Sequence, residues 1–196
     1  ATWRARLDEH LGNYTVEATT LRAAQLMEKS IGLYGLQMVA SLIRLLPERD
    51  PHPELYEGVV AILGLLDEPR LAGSLLVRLE ARMLEELGFG LDLESCAATG
   101  SNDDLAYVSP KSGRAVSRSA GDPYRDRMFA LPAFLLAAPS ADAVPAEELA
   151  AGVRLTSYFF ARHVYEPRGV APPEGRERFI ALATRPETDL VKTTAL

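Results

Sequence analysis

One stretch of this 196-residue chain resists helix: residues 91–118, LDLESCAATGSNDDLAYVSPKSGRAVSR. It holds Cys96, the only cysteine, then small and turn-forming residues, then two short β-like runs on either side of Pro110-Lys111-Ser112-Gly113. Pro presets a turn and Gly accepts positive φ, so Leu105-Ala106-Tyr107-Val108 and Ala115-Val116 read as the arms of a hairpin. Nearly everything around the stretch carries the three- and four-residue spacing of amphipathic helix. A β excursion between helices is either a clip that holds a helical domain together or a binding surface.

The helices are marked by their stripes and their stops. Thr19 or Thr20 is a plausible N-cap for a helix through Leu21, Ala24, Met27, Ile31, Tyr34, Met38, Leu42 and Leu45, ended by Pro47. Gly32 and Gly35 each cost that helix about 1 kcal/mol relative to Ala, which points to close helix packing. Leu55, Val59, Ile62, Leu63 and Leu66 mark a second helix. Pro69, after Asp67-Glu68, starts a third with a stripe of Leu71, Leu75, Leu79, Met83 and Leu87 and with Gly88 as the C′ residue. Ala133 to Leu136 reads as a helical turn and 145–165 as a strong helix. Pro172-Pro173 opens a last helix through Phe179, Ile180 and Leu182. Before all of these, residues 2–7 and 12–17 alternate like two strands, expected to be the last of a β domain.

With 47% hydrophobic and 24% charged residues the chain has material for a real core without disulfide staples. A single cysteine cannot form an internal disulfide, which fits a reducing cytoplasm. No apolar run approaches the roughly 18 residues of a membrane span, and no signal peptide is visible. Net charge is -6, from 27 acids and 21 bases, which argues weakly against wholesale nucleic-acid binding. The distribution is uneven. Acids dominate between Glu48 and Glu94, whereas Lys111, Arg114, Arg118, Arg125, Arg127, Arg154, Arg162, Arg168, Arg176 and Arg178 follow Pro110, so one face is expected to be basic.

No constellation points to an enzyme. His10, His52 and His163 have no nucleophile at a motif spacing, and Gly-x-Ser-x-Gly, Gly-x-Gly-x-x-Gly and the P-loop are all missing from the sequence. His163 lies beside an apolar helix face, where packing or surface exposure is its expected role. Cys96 has Thr99 at the pair spacing and no nearby His, so tight zinc binding is not expected and Cys96 reads as a small buried hydrophobe. Neither cofactor nor metal is expected. Lys111, Arg114 and Arg118, with interleaved serines, fit phosphate contact, and Tyr107 offers a stacking face; a solvated surface hairpin fits the same residues.

In order and spacing, Arg78-Leu79-Glu80, Leu87-Gly88-Phe89-Gly90-Leu91-Asp92-Leu93, Ser95-Cys96-Ala97-Ala98-Thr99-Gly100 and the run from Leu105 to Ser117 resemble the RecO recombination-repair mediators of bacteria. The resemblance implies an OB-type barrel followed by a helical domain. Residues 1–18 are then a barrel remnant and 19–186 the helical domain, with the hairpin region inserted at 91–120 and a flexible tail at 187–196. Many members carry a four-cysteine zinc site around the hairpin. Cys96 matches its first cysteine, Thr99 stands where the second would be, and Ser117 lies near the start of the later pair. The expected fold is therefore a mainly α helical bundle with a zinc-finger-like hairpin that has lost its ligands.

The resemblance also implies function. RecO proteins bind single- and double-stranded DNA, promote annealing, and work with RecR and the acidic, hydrophobic C-terminal tail of single-stranded DNA-binding protein to load RecA recombinase. It places the tail site near Arg78. An acidic peptide ending in an apolar residue asks for a basic rim over an apolar groove, which Arg78 and Arg82 beside Leu75 and Leu79 would supply. Val77 stands where relatives often carry a further base. The expectation is a non-enzymatic DNA repair and recombination mediator, cytoplasmic and nucleoid-associated, with no small-molecule substrate. The competing class is a helical protein–protein interaction module that does not touch DNA.

Overall fold

A computed structural model describes residues 1–7, 11–18, 23–138, 140 and 142–185. His10, the N-cap candidates Thr19 and Thr20, Leu21 and the tail at 187–196 lie outside the described residues. The chain runs β1 (Thr2–Arg4), β2 (Asn13–Thr15), α1 (Ala23–Glu28), α2 (Ser30–Ile43), α3 (Pro53–Gly64), α4 (Pro69–Glu86), β3 (Leu105–Val108), β4 (Ala115–Ser117) and α5 (Arg118–Gly121). A 3-10 turn at Asp122–Arg127 leads to β5 (Phe129–Ala130), α6 (Ala133–Leu136) and α7 (Ala146–Phe160). A π turn at Ala161–Tyr165 then joins α8 (Glu166–Arg168), and α9 (Glu174–Ala183) follows.

The architecture is mainly α with small sheets, as expected. α4 is the central element, packed by α3, α7 and α9, while α9 also lies along α2. Its burial is wider than a single stripe: Ala72, Leu76, Val77, Glu80 and Leu84 are fully buried, and Leu79 and Met83 nearly so. Val77 is therefore a core residue under α7, not a place on the surface for a further base. Pro53 and Pro69 open α3 and α4 at N1, where the missing N–H is not needed.

The first predicted helix is two. Lys29, with φ -116° and ψ 137°, breaks it, and α1 turns back on α2. Gly32 makes this possible, because a Cβ there would overlap the carbonyl of Leu26. Gly35 sits under Leu66 in the same close-packed way. The strand-like N-terminal runs form one exposed antiparallel hairpin, with Trp3 opposite Tyr14.

α4, α7 and α9 are joined by a buried polar knot. Arg176 of α9 donates to Glu80 of α4 from Nε to Oε1 at 2.5 Å and from Nη2 to Oε2 at 2.9 Å, a bidentate pair. Thr156 of α7 donates to the same Oε2 at 2.6 Å. Glu80 is 0% and Arg176 5% exposed. Burial alone would favour loss of the Arg176 proton, but the Glu80 carboxylate outweighs it and holds the guanidinium above its ordinary value. Arg176 is thus withdrawn from the basic face predicted after Pro110. Beside the pair, burial first and the charge of Glu80 second push the Tyr165 hydroxyl up to about 12, so it stays neutral.

Arg176→Met strands a buried carboxylate and is expected to cost about 3–5 kcal/mol in urea unfolding. Glu80→Leu combined with Arg176→Met removes both charges and is expected to recover most of that loss; a double variant as unstable as the single one would refute the ion-pair account.

Candidate functional site

The hairpin forms where the turn chemistry places it. β3 and β4 pair antiparallel, Val108 opposite Ala115, and Gly113 takes φ +69° in the turn, with the Gly113 N–H donating to the Ser109 carbonyl. β5 adds a third strand on the other side of β3, giving the order β4-β3-β5. Phe129-Ala130 is too short to show alternation before Pro132, so the sequence carries no sign of this strand.

Residues 92–101 are laced to β4 by backbone bonds. The N–H of Asp92 donates to Gly113, that of Ala115 to Asp92, and that of Ala97 to Ala115. Val108 and Ala115 are buried in the main core, and Leu93 and Leu105 pack against it. The stretch is a clip held by apolar contacts and a backbone ladder together.

Cys96 is 1% exposed at the base of this clip. The Ser117 hydroxyl lies 3.4 Å from its Sγ, and the Ser117 N–H donates to Sγ at 3.2 Å. These contacts, with a smaller one from Thr99, draw the thiol down to about 6 from 9.0. Cys96, Thr99 and Ser117 therefore come together, and the cysteine that residue type alone reads as a small buried hydrophobe is hydrogen-bonded. One thiol and two hydroxyls do not make the N/S ligand set of a structural zinc site. Among the described residues no group of three or more His, Cys, Asp and Glu gathers around a metal-sized space.

The hairpin cations differ in their partners. Arg114 donates from Nε to Asp92 at 2.9 Å, and Arg118 from Nε to Asp104 at 3.2 Å. Both pairs are exposed enough to open at little cost. Lys111 stands exposed at the turn, with no ion pair among the described residues. Tyr107 is engaged in packing: its hydroxyl donates to Asp122 at 2.6 Å, a bond that raises its pKa, and Gly121 lies against its ring.

The α4 residues divide into two settings. Arg78 donates to the Ala137 carbonyl at 2.9 Å and lies over the Phe134 ring at 5.9 Å, and burial lowers its pKa. With Leu75 it lines a small recess closed by Phe134, Ala138 and Val144. Arg82 instead reaches three acids, Glu54 at 3.2 Å, Glu85 at 2.7 Å and Glu86 at 3.1 Å. Leu79 is buried toward Gly58 of α3. Leu75 and Arg78 share one recess, and Arg82 and Leu79 turn to α3. His163 is held by its ring, stacked on Phe89 at 4.8 Å. No helix among the described residues is long and apolar enough to cross a membrane.

Residues 27–170 match the family described as Recombination protein O C terminal. A DNA repair protein RecO from Rhizobium etli (strain CIAT 652) is 54% identical over 193 residues, 98% of this chain and 75% of that protein. One from Methylobacterium nodulans is 56% identical over 187 residues, 94% of this chain and 76% of that protein. The chain belongs to the RecO family. A third RecO, from Chelativorans sp., is 54% identical over 184 residues, 94% of the chain and 74% of the relative. No solved structure matches the chain. The RecO family match takes in α2 to α8 with the hairpin; α9, which supplies Arg176, lies beyond it.

The Cys96 value carries a sign. A thiol whose folded pKa lies below its unfolded one contributes stability that is complete above pH 9 and lost as pH falls through 6. Thiolate ultraviolet absorbance is expected to titrate near pH 6 in the native chain, and Ser117→Ala to move it upward. Cys96→Ala is expected to flatten the stability profile between those limits.

Proposed function

We propose that this chain is a DNA repair and recombination mediator. It binds single- and double-stranded DNA, promotes strand annealing, and helps load RecA together with RecR and the tail of single-stranded DNA-binding protein. The observation that carries the reading is the family membership, at 54–56% identity to the RecO proteins named above. Lys111, Arg114 and Arg118 on the hairpin are its phosphate-contacting residues, and Leu75 and Arg78 are the core of its tail-binding recess, with Arg82 and Leu79 at the margin toward α3. In this reading β1 and β2 are strands of the family's OB-type barrel. The clip is the descendant of a zinc-finger-like region, with Ser117 and Thr99 bonding Cys96 in place of metal.

The reading is non-enzymatic: binding and annealing require charge and shape, not a nucleophile. A second reading, a protein–protein interaction module without DNA binding, is favoured by the Asp92 and Asp104 partners that neutralise two of the three hairpin cations.

Titration of labelled single-stranded DNA and of tail peptide against the chain, Arg78→Ala and Arg114→Ala separates the two. Three phosphate contacts predict that log affinity falls with log salt at a slope of about -2 on a single strand. Asp92→Asn frees Arg114 and is expected to tighten DNA binding, while Arg114→Ala weakens it and leaves tail binding intact. Peptide binding without any DNA binding would establish the second reading instead.

A further inference from the structure

Three rings form a ladder at the foot of the hairpin. Phe159 is buried in the core. His163 lies nearly parallel to it, 6.0 Å between centroids and 9° between planes. Phe89 continues the series, 4.8 Å and 16° from His163, and is 42% exposed. The innermost rung is anchored and the outermost faces solvent.

Two backbone irregularities set this ladder. α4 ends in a Schellman motif: the Gly88 N–H donates to Glu85, the Phe89 N–H donates to Leu84, and Gly88 has φ +85°. The apolar residue after such a turn ordinarily folds back onto its own helix. Phe89 instead reaches across to His163. That ring is presented by the π turn at Ala161–Tyr165, which displaces the helix face by one residue.

Two cations without an ion pair among the described residues, Lys111 and Arg162, stand beside the ladder. Arg162, on the same π turn, donates to the Pro110 carbonyl at 2.9 Å, which places its guanidinium at the hairpin turn beside Lys111. Gly113 lies against Phe159 and Leu91, so turn and ladder are in contact. Of the acids on the neighbouring segments, Asp92 is paired with Arg114, and Glu85 and Glu86 share Arg82 with Glu54. Glu94 and Glu166, on the adjoining segments, are exposed acids with no ion pair among the described residues.

An exposed, rigid ring flanked by uncompensated cations matches single-stranded DNA, whose bases have free faces while their phosphates seek charge. We propose that Phe89, backed by His163, is a stacking platform for one unpaired base of single-stranded DNA, whose adjacent phosphates meet Lys111 and Arg162. This rests on the DNA-binding reading of the hairpin and adds the element that distinguishes single strand from duplex, since a paired base offers no free face.

The test uses the full chain with labelled oligothymidylate and with a duplex of the same length. Phe89→Ala is expected to weaken single-strand binding about tenfold, toward the low end for one stacked base, and to leave duplex binding unchanged. Phe89→Trp, in a Trp3→Phe background, is expected to restore affinity, with its fluorescence quenched as the strand binds. If both Phe89 variants bind like the parent while Lys111→Ala binds more weakly, the platform is refuted and the hairpin reading stands. If the parent chain binds neither strand nor duplex, both readings fall.

Discussion

The bidentate pair between Glu80 and Arg176 is the constraint on which the helical packing turns. Apolar side chains slide past one another at small cost, but a buried carboxylate accepts only the geometry that satisfies it. Arg176 fixes the height of α9 against α4, and Thr156 fixes the height of α7 against both. α9 in turn lies along α2, so the register of four helices is set from one polar point. Arg176 also donates to Ser157 at 3.1 Å, which ties α7 by two successive residues.

The hairpin region depends on that frame because it rests on α7. Phe159 lies under Gly113, and Phe129 of β5 packs against Tyr158 and Phe159. The clip and the helical bundle share one core, in which Val108 and Ala115 are as buried as any helical residue. Charge on the clip is arranged differently from charge in the bundle. Inside, the Glu80–Arg176 pair is sealed from water. Outside, Arg114 and Arg118 meet their acids in solvent, where the pairs are screened and contribute little.

Much of the fold was legible because its signals are local. Pro69 and Gly88 mark helix ends by backbone chemistry, and Leu105 to Val108 was readable as a strand from its composition and turn. What was not legible is tertiary. Glu80 sits between Leu79 and Ala81 at a position that a stripe of leucines places beside the core, and nothing near it in sequence foretells Arg176. The break at Lys29 was hidden because helix spacing continues across it, and only the fit of Gly32 to Leu26 makes the fold-back possible. Of the candidate site, residue types and rough location were readable on the hairpin. The acid partners that neutralise Arg114 and Arg118 were not, since each pair is closed by the fold of the clip. The family resemblance supplied the α4 residues, but not that Leu79 and Arg82 turn away from Leu75 and Arg78.

The π turn at the end of α7 has a further meaning for how this surface tolerates change. A helix advances about 100° per residue, so one residue more or less rotates everything downstream by that angle. In the π turn the surplus is absorbed locally: Val164 and Tyr165 both remain buried while Arg162 stays exposed. A chain lacking one residue here would regain ordinary helical pitch and keep its core, yet swing His163 away from Phe89. Presence of the turn thus separates two inheritances within one helix, a buried face that every functional variant must keep and an outward face that a single codon can redirect.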